Sequence, residues 1–96
     1  MSVLNTDQIS ELLRDLNGWE SEGQFITKTF QLENFVAALA FVNEIGKVAE
    51  AQDHHPDILI HSWNKVTLTI STHNEGGVTQ KDFGLAQAID TLPKIQ

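Results

Sequence analysis

The stretch Glu50-Ala51-Gln52-Asp53-His54-His55-Pro56-Asp57-Ile58 sets two adjacent histidines between acidic residues and a proline. Two further histidines, His61 and His73, complete the set of four. A neutral imidazole carries one donor and one acceptor nitrogen and titrates near pH 7, so it can give or take a proton. Glu50 stands one helical turn before His54, spaced to orient that ring or relay its proton. Asp53 could serve His55 in the same way, or merely finish a helix. Two other readings stand beside acid/base chemistry. A histidine near a helix C-terminus is favoured by the dipole alone, which would make His54 structural. His54, His55 and His73 also match in number the three nitrogens of some catalytic zinc sites. Against a metal, adjacent residues of an extended chain point in opposite directions, and no HExxH spacing is present.

Composition narrows the chemistry. The chain has no cysteine, so it has no thiolate nucleophile, disulfide framework or cysteine metal site. It also lacks the serine elbow and the glycine-rich phosphate loop. Six Lys plus Arg against thirteen Asp plus Glu give a net charge of -7. That balance argues against nucleic acid, whose phosphates need clustered basic side chains. No apolar run approaches the roughly 20 residues that span a bilayer. The start, MSVLNTDQIS, has neither the basic nor the apolar region of a signal peptide, which implies a soluble cytoplasmic protein. Ninety-six residues, 41% of them hydrophobic, suit a single domain over 1–96 with one core.

The elements that must position the histidines follow from periodicity. Thr6 can cap a first helix bearing Ile9, Leu12, Leu13 and Leu16 at helical spacing, with Asn17-Gly18 as a left-handed stop. Trp19 to Ser21 and Gln24 to Leu32 read as two strands joined at Glu22-Gly23. Ile26, Phe30 and Leu32 share one face of the second strand, and Lys28 interrupts it. The longest helix runs from about Asn34 to Gln52. Its stripe is Phe35, Leu39, Val42, Ile45 and Ala49, widened by Val36, Phe41 and Val48, which predicts a second buried face against a helix or another subunit. Pro56 ends this helix and biases His55 toward an extended conformation. Asp57 to Ser62 is a third strand, and Trp63-Asn64-Lys65 is a turn. In Val66 to Thr72, Val66, Leu68 and Ile70 face the core while Thr67, Thr69 and Ser71 face away. His73 continues the second set, at a strand end on the polar face. Gly76-Gly77 turns the chain, Thr79 to Asp82 forms a capping box, and a last helix with Phe83, Ala86 and Ile89 on one side reaches Pro93. The order α-β-β-α-β-β-α predicts an α+β fold, a four-stranded antiparallel sheet with three helices on one face.

The full spacing is more specific than the histidine pair. Glu50, three residues, His54-His55-Pro56, six residues, Trp63, nine residues, His73, eight residues, Asp82 resembles the signature of the pterin-4a-carbinolamine dehydratases. Gly18-Trp19, Asn64-Lys65-Val66 and Ser71-Thr72-His73 before Gly76-Gly77 resemble the same family, so the likeness covers nearly the whole chain. The resemblance implies the same sheet-and-helix fold in a dimer or tetramer. It implies dehydration of a 4a-hydroxytetrahydropterin, the product of aromatic amino acid hydroxylases, to a quinonoid dihydropterin, with no metal or organic cofactor. Carried over by position, His54, His55 and His73 are the active-site histidines, His54 and His73 the acid/base pair and His55 mainly a substrate ligand. Glu50 supports them, and Asp53 with Ser71, Thr72, His73 and Asn74 matches the positions that contact the pterin ring. His61 matches none and is expected at the surface. Trp63 is expected either beside the site or as a buried anchor for its turn, and Asp82 as a helix cap. Asn74-Glu75 departs from relatives with an acidic residue directly after the third histidine. The family also implies an alternative, a non-enzymatic role: animal relatives are dimerisation partners of a homeodomain transcription factor, and some microbial ones are linked to other pterin pathways, including molybdenum cofactor.

Overall fold

A computed structural model describes residues 3–93. Its elements are α1 (Thr6–Leu13), β1 (Glu20–Glu22), β2 (Phe25–Gln31), α2 (Phe35–Gln52), β3 (Asp57–His61), β4 (Lys65–Ile70), a short 3-10 turn (His73–Glu75) and α3 (Gln80–Asp90). The strands form one antiparallel sheet in the order β1-β2-β4-β3, as the hairpin-length connections predict.

Central β4 explains where the core sits. Val66, Leu68 and Ile70 are completely buried, and Ile26 and Phe30 of β2 lie opposite Ile70 and Val66 on the same face. Helical residues Ile9, Phe41, Ile45, Phe83, Ala86 and Ile89 close over this face. Each large apolar side chain buried there contributes about 1.5–3 kcal/mol before the entropy of ordering is subtracted. Phe30 and Phe41 meet edge to face at 5.0 Å. Lys28 stands on this core face opposite Leu68, yet it breaks nothing. Its Nζ lies 4.6 Å over the Phe30 ring and 3.0 Å from Asp90 Oδ1, so the charge is paired while the stem packs. On the other face, Thr29 and Thr67 share a hydrogen bond of 2.8 Å and the side chains stay partly wet.

Several details differ from the sequence reading. Asn5, not Thr6, caps α1: its Oδ1 accepts from Gln8 N–H, and Gln8 Oε1 accepts from Asn5 N–H. That helix stops at Leu13, and three i→i−3 bonds at Arg14, Asp15 and Leu16 tighten the chain before Gly18. Gly18 has φ 86°, and a Cβ there would sit 3.1 Å from Lys28 Cε. The core stripe of α2 is Ala37, Ala38, Phe41, Ile45 and Ala49, whereas Phe35, Val36 and Leu39 remain exposed. The small residues Ala37 and Ala38 lie inward because they let the helix approach the sheet; the bulkier residues flank that approach. Trp63 is no buried anchor. It is 61% exposed, and Ser62 and Trp63 both have positive φ, while buried Asn64 anchors the turn through two hydrogen bonds with Leu32. His61 is half-buried rather than free at the surface, with Nε2 2.8 Å from Thr67 Oγ1. The last helix ends at Asp90, short of Pro93.

Candidate active site

The site is assembled from a helix exit and a loop. Helix α2 ends in a residue with left-handed geometry: Asp53 has φ 51° and ψ 44°. Its N–H donates to Glu50 O, and the next N–H, of His54, donates to Ala49 O. These two bonds make a Schellman stop, in which aspartate replaces the usual glycine at some conformational cost. The reversal, not Pro56, ends the helix. Beyond it the i,i+4 relation no longer holds, so Glu50 does not meet His54. Its Oε2 lies 2.5 Å from His55 Nε2 instead. The expected pairing of Glu50 with His54 is therefore wrong, and of the two roles open to Asp53 it takes the second, finishing the helix.

His54 finds a different carboxylate. Its Nε2 lies 2.5 Å from Asp82 Oδ1, on the first turn of α3. Asp82 is fully buried and also closes the capping box, its Oδ2 accepting from Thr79 N–H at 2.8 Å. A third donor, Thr72 Oγ1–H, reaches the same Oδ2 at 3.0 Å. The cap expected from sequence is present, but it uses only one carboxylate oxygen and leaves the other for the histidine. Residue type and spacing show the capping box; nothing local in the sequence shows the histidine 28 positions away.

The second wall is the loop after β4. The strand ends at Ile70, so His73 does not continue its alternation. Thr72 N–H donates to Gly77 O, closing a loop whose tip is the 3-10 turn His73–Glu75. Gly76, at φ 78°, provides the left-handed exit. Gly77 packs so closely beneath Val3 that a Cβ would meet Val3 Cγ1 at 2.8 Å. The loop is thereby fixed against the N-terminal segment, and His73 and Asn74 stand on its exposed tip.

Asp53, His54, His55, Ser71, His73 and Asn74 together line one pocket of about 180 Å³. All three predicted histidines converge, although they come from two parts of the chain. Thr72, predicted to contact a ligand, does not line the pocket: it is buried and spends its hydroxyl on Asp82. Its neighbours Ser71 and His73 do line it, because the backbone turns about Thr72. Glu50 contacts His55 from outside the pocket, and His61 lies elsewhere, on β3. Among the described residues, no three His, Asp or Glu side chains are arranged to hold a metal ion. A larger cleft of about 420 Å³ lies between Asp15, Asn17, Lys28, Gln87 and Asp90. It contains no histidine, so the smaller pocket is the one equipped to give and take protons near neutral pH. Among the described residues no helix is long and apolar enough to cross a membrane.

Comparison with known proteins agrees with this fold. The family model for pterin 4 alpha carbinolamine dehydratase matches residues 2–92. A Roseiflexus castenholzii protein named for pterin-4-alpha-carbinolamine dehydratase is 53% identical over 91 residues, covering 95% of this chain and 97% of its own. A protein named for the same activity in Sulfolobus acidocaldarius is 42% identical over 89 residues, covering 93% and 97%. Among solved structures, a transcriptional coactivator/pterin dehydratase from Brucella melitensis superposes with a TM-score of 0.86 at 34% identity, covering 93% of this chain and 96% of that one. A pterin dehydratase-like RuBisCO assembly factor of the alpha-carboxysome shares the fold, with a TM-score of 0.60 at 16% identity over 75% and 82% of the two chains. The chain belongs to the pterin-4a-carbinolamine dehydratase family.

Proposed function

We propose that this protein dehydrates 4a-hydroxytetrahydropterins by histidine acid/base catalysis, regenerating the quinonoid dihydropterin for reuse by aromatic amino acid hydroxylases. The observation that carries this reading is the convergence of His54, His55 and His73 on one pocket, with two of the three rings held by carboxylates. The reaction breaks the C4a–O bond and the N5–H bond and forms C4a=N5, releasing water. It needs one base at N5 and one acid at the departing hydroxyl, and no net proton is consumed. Imidazoles can fill both roles near neutral pH.

In this reading His54 is the base. Its Nε2 faces Asp82, and its Nδ1 makes no hydrogen bond among the described residues, which leaves that nitrogen for substrate. His73, on the opposite loop, is the acid that protonates the hydroxyl. His55 binds the ring, held by Glu50, and Asp53, Ser71 and Asn74 offer polar partners at the rim. No metal or organic cofactor has a part in these steps. The exposed side chains of Phe35, Val36 and Leu39 support a homo-oligomer, with a second copy covering this part of α2. Sedimentation should show more than one chain per particle, and a monomer would remove that part of the reading.

The functional test is the initial rate with freshly generated 4a-hydroxytetrahydropterin. The wild-type protein should exceed the spontaneous dehydration. His54→Ala and His73→Ala should each lose about 10²–10⁴-fold of the catalysed rate, the usual worth of a positioned proton-transfer group. A wild-type rate equal to the spontaneous one removes the dehydratase reading. The alternatives in another pterin pathway or as a binding partner would then be tested by recovery of a stoichiometric protein partner.

A further inference from the structure

The hydrogen bonds behind Asp82 have a direction. A carboxylate oxygen accepting two donors can only accept, so the single hydroxyl hydrogen of Thr72 is committed to Asp82 Oδ2. Thr72 Oγ1 lies 2.8 Å from Thr79 Oγ1. With the Thr72 hydrogen spent, Thr79 must be the donor in that contact. Thr79 Oγ1 in turn accepts from Lys81 N–H at 3.2 Å. The hydrogens therefore run one way, from Lys81 N through Thr79 and Thr72 to Asp82. Thr72, Thr79 and Asp82 are all buried, and no side-chain polar atom among the described residues is both buried and unpartnered. These groups are shielded from solvent, so reversing one link would strand a donor or an acceptor elsewhere along the relay.

We propose that this relay, Thr79 to Thr72 to Asp82, fixes the tautomer of His54, with the hydrogen on Nε2 and the lone pair on Nδ1. Opposite an ionised Asp82, whose Oδ2 already takes two donors, the hydrogen in the contact with His54 comes from the ring. Nδ1 is left as the acceptor on a ring that lines the pocket. Thr72 is thus a positioning residue, two hydrogen bonds removed from the His54 ring and outside the pocket lining. A hydroxyl is required at that position: an isosteric Val would keep the packing and remove both a donor and an acceptor. The effect on the tautomer stands alone; the effect on turnover rests on the dehydratase reading.

The test is NMR of protein labelled with 15N in its histidine rings, at a pH where imidazoles are neutral, with His54→Gln to assign the signals. In the wild type, His54 should show a protonated, pyrrole-type Nε2 and a pyridine-type Nδ1. Thr72→Val should shift the tautomer ratio severalfold toward Nδ1–H and lower kcat about tenfold, the net worth of one hydrogen bond, with KM less affected. Thr72→Ser keeps the hydroxyl and should restore both readouts. A wild-type His54 protonated on Nδ1, or a Thr72→Val protein with an unchanged tautomer, overturns the proposal. If Thr72→Val fails to fold, the Thr72 hydroxyl proton of the wild type decides: the relay predicts a resolved, exchange-protected resonance, and a freely exchanging hydroxyl rejects it. A locked tautomer in a wild-type protein that does not accelerate dehydration would uphold the relay and reject the dehydratase.

Discussion

Neighbours in sequence, His54 and His55 end in opposite surroundings. The His54 side chain is 11% exposed and its partner Asp82 is 0% exposed; for His55 and Glu50 the figures are 56% and 79%. Both contacts measure 2.5 Å. Equal distances here do not mean equal consequences. Around His54, water cannot replace a lost partner, so each hydrogen bond constrains the ring's orientation and the position of its proton. Around His55, solvent competes for both groups, and such exposed pairs contribute about 0–1 kcal/mol. One pair has the rigidity that proton transfer at a fixed atom requires. The other has the freedom that suits a ring adjusting to a ligand.

Asp82→Asn should break the buried side of this contrast most severely. The amide offers an N–H or a carbonyl where a carboxylate accepted three donors, so His54 loses its defined tautomer. We expect kcat to fall about 10²–10⁴-fold, the range for losing a proton-transfer group. Thermal unfolding should show a stability loss of about 1–3 kcal/mol, because a buried network is left mismatched. Glu50→Gln is the matched change on the exposed side. Its rate should fall less than tenfold, mostly through KM, and its stability should move by no more than about 0.5 kcal/mol. Equal losses in the two variants would erase the distinction between the pairs. The smallest effect on turnover belongs to Asp53→Gly, which relieves the left-handed residue just before the two histidines. It should raise stability by about 1 kcal/mol in a denaturant titration while weakening substrate binding modestly, because Asp53 also lines the pocket. A fall in stability would show that the Asp53 side chain holds the helix end together.

The same contrast marks what could be read from sequence. Alternation in Val66 to Ile70 gave the central strand, because both faces of a strand obey a two-residue period. The capping box at Thr79 and Asp82 was legible because it is local. The three histidines converged as the family spacing implied. The partners did not follow from spacing. A helical i,i+4 rule joined Glu50 to His54, but the rule holds only while the helix lasts, and Asp53 ends it one residue earlier. The second task of Asp82 stayed hidden because a satisfied cap looks complete. Thr72 was placed in the pocket by association with its neighbours, whereas its buried hydroxyl serves Asp82. On α2, apolar spacing could not rank Phe35 and Leu39 against Ala37 and Ala38, because close approach to the sheet favours small residues that carry little hydrophobic signal.

The account depends most on where a reduced pterin sits. A crystal structure with a bound, unreactive dihydropterin analogue examines that placement directly. We predict the ring between the α2 exit and the His73 loop, with N5 within hydrogen-bond reach of His54 Nδ1 and the C4a edge toward His73. An analogue found instead in the larger cleft beside Lys28 and Asp90, with the histidine pocket vacant, would contradict it.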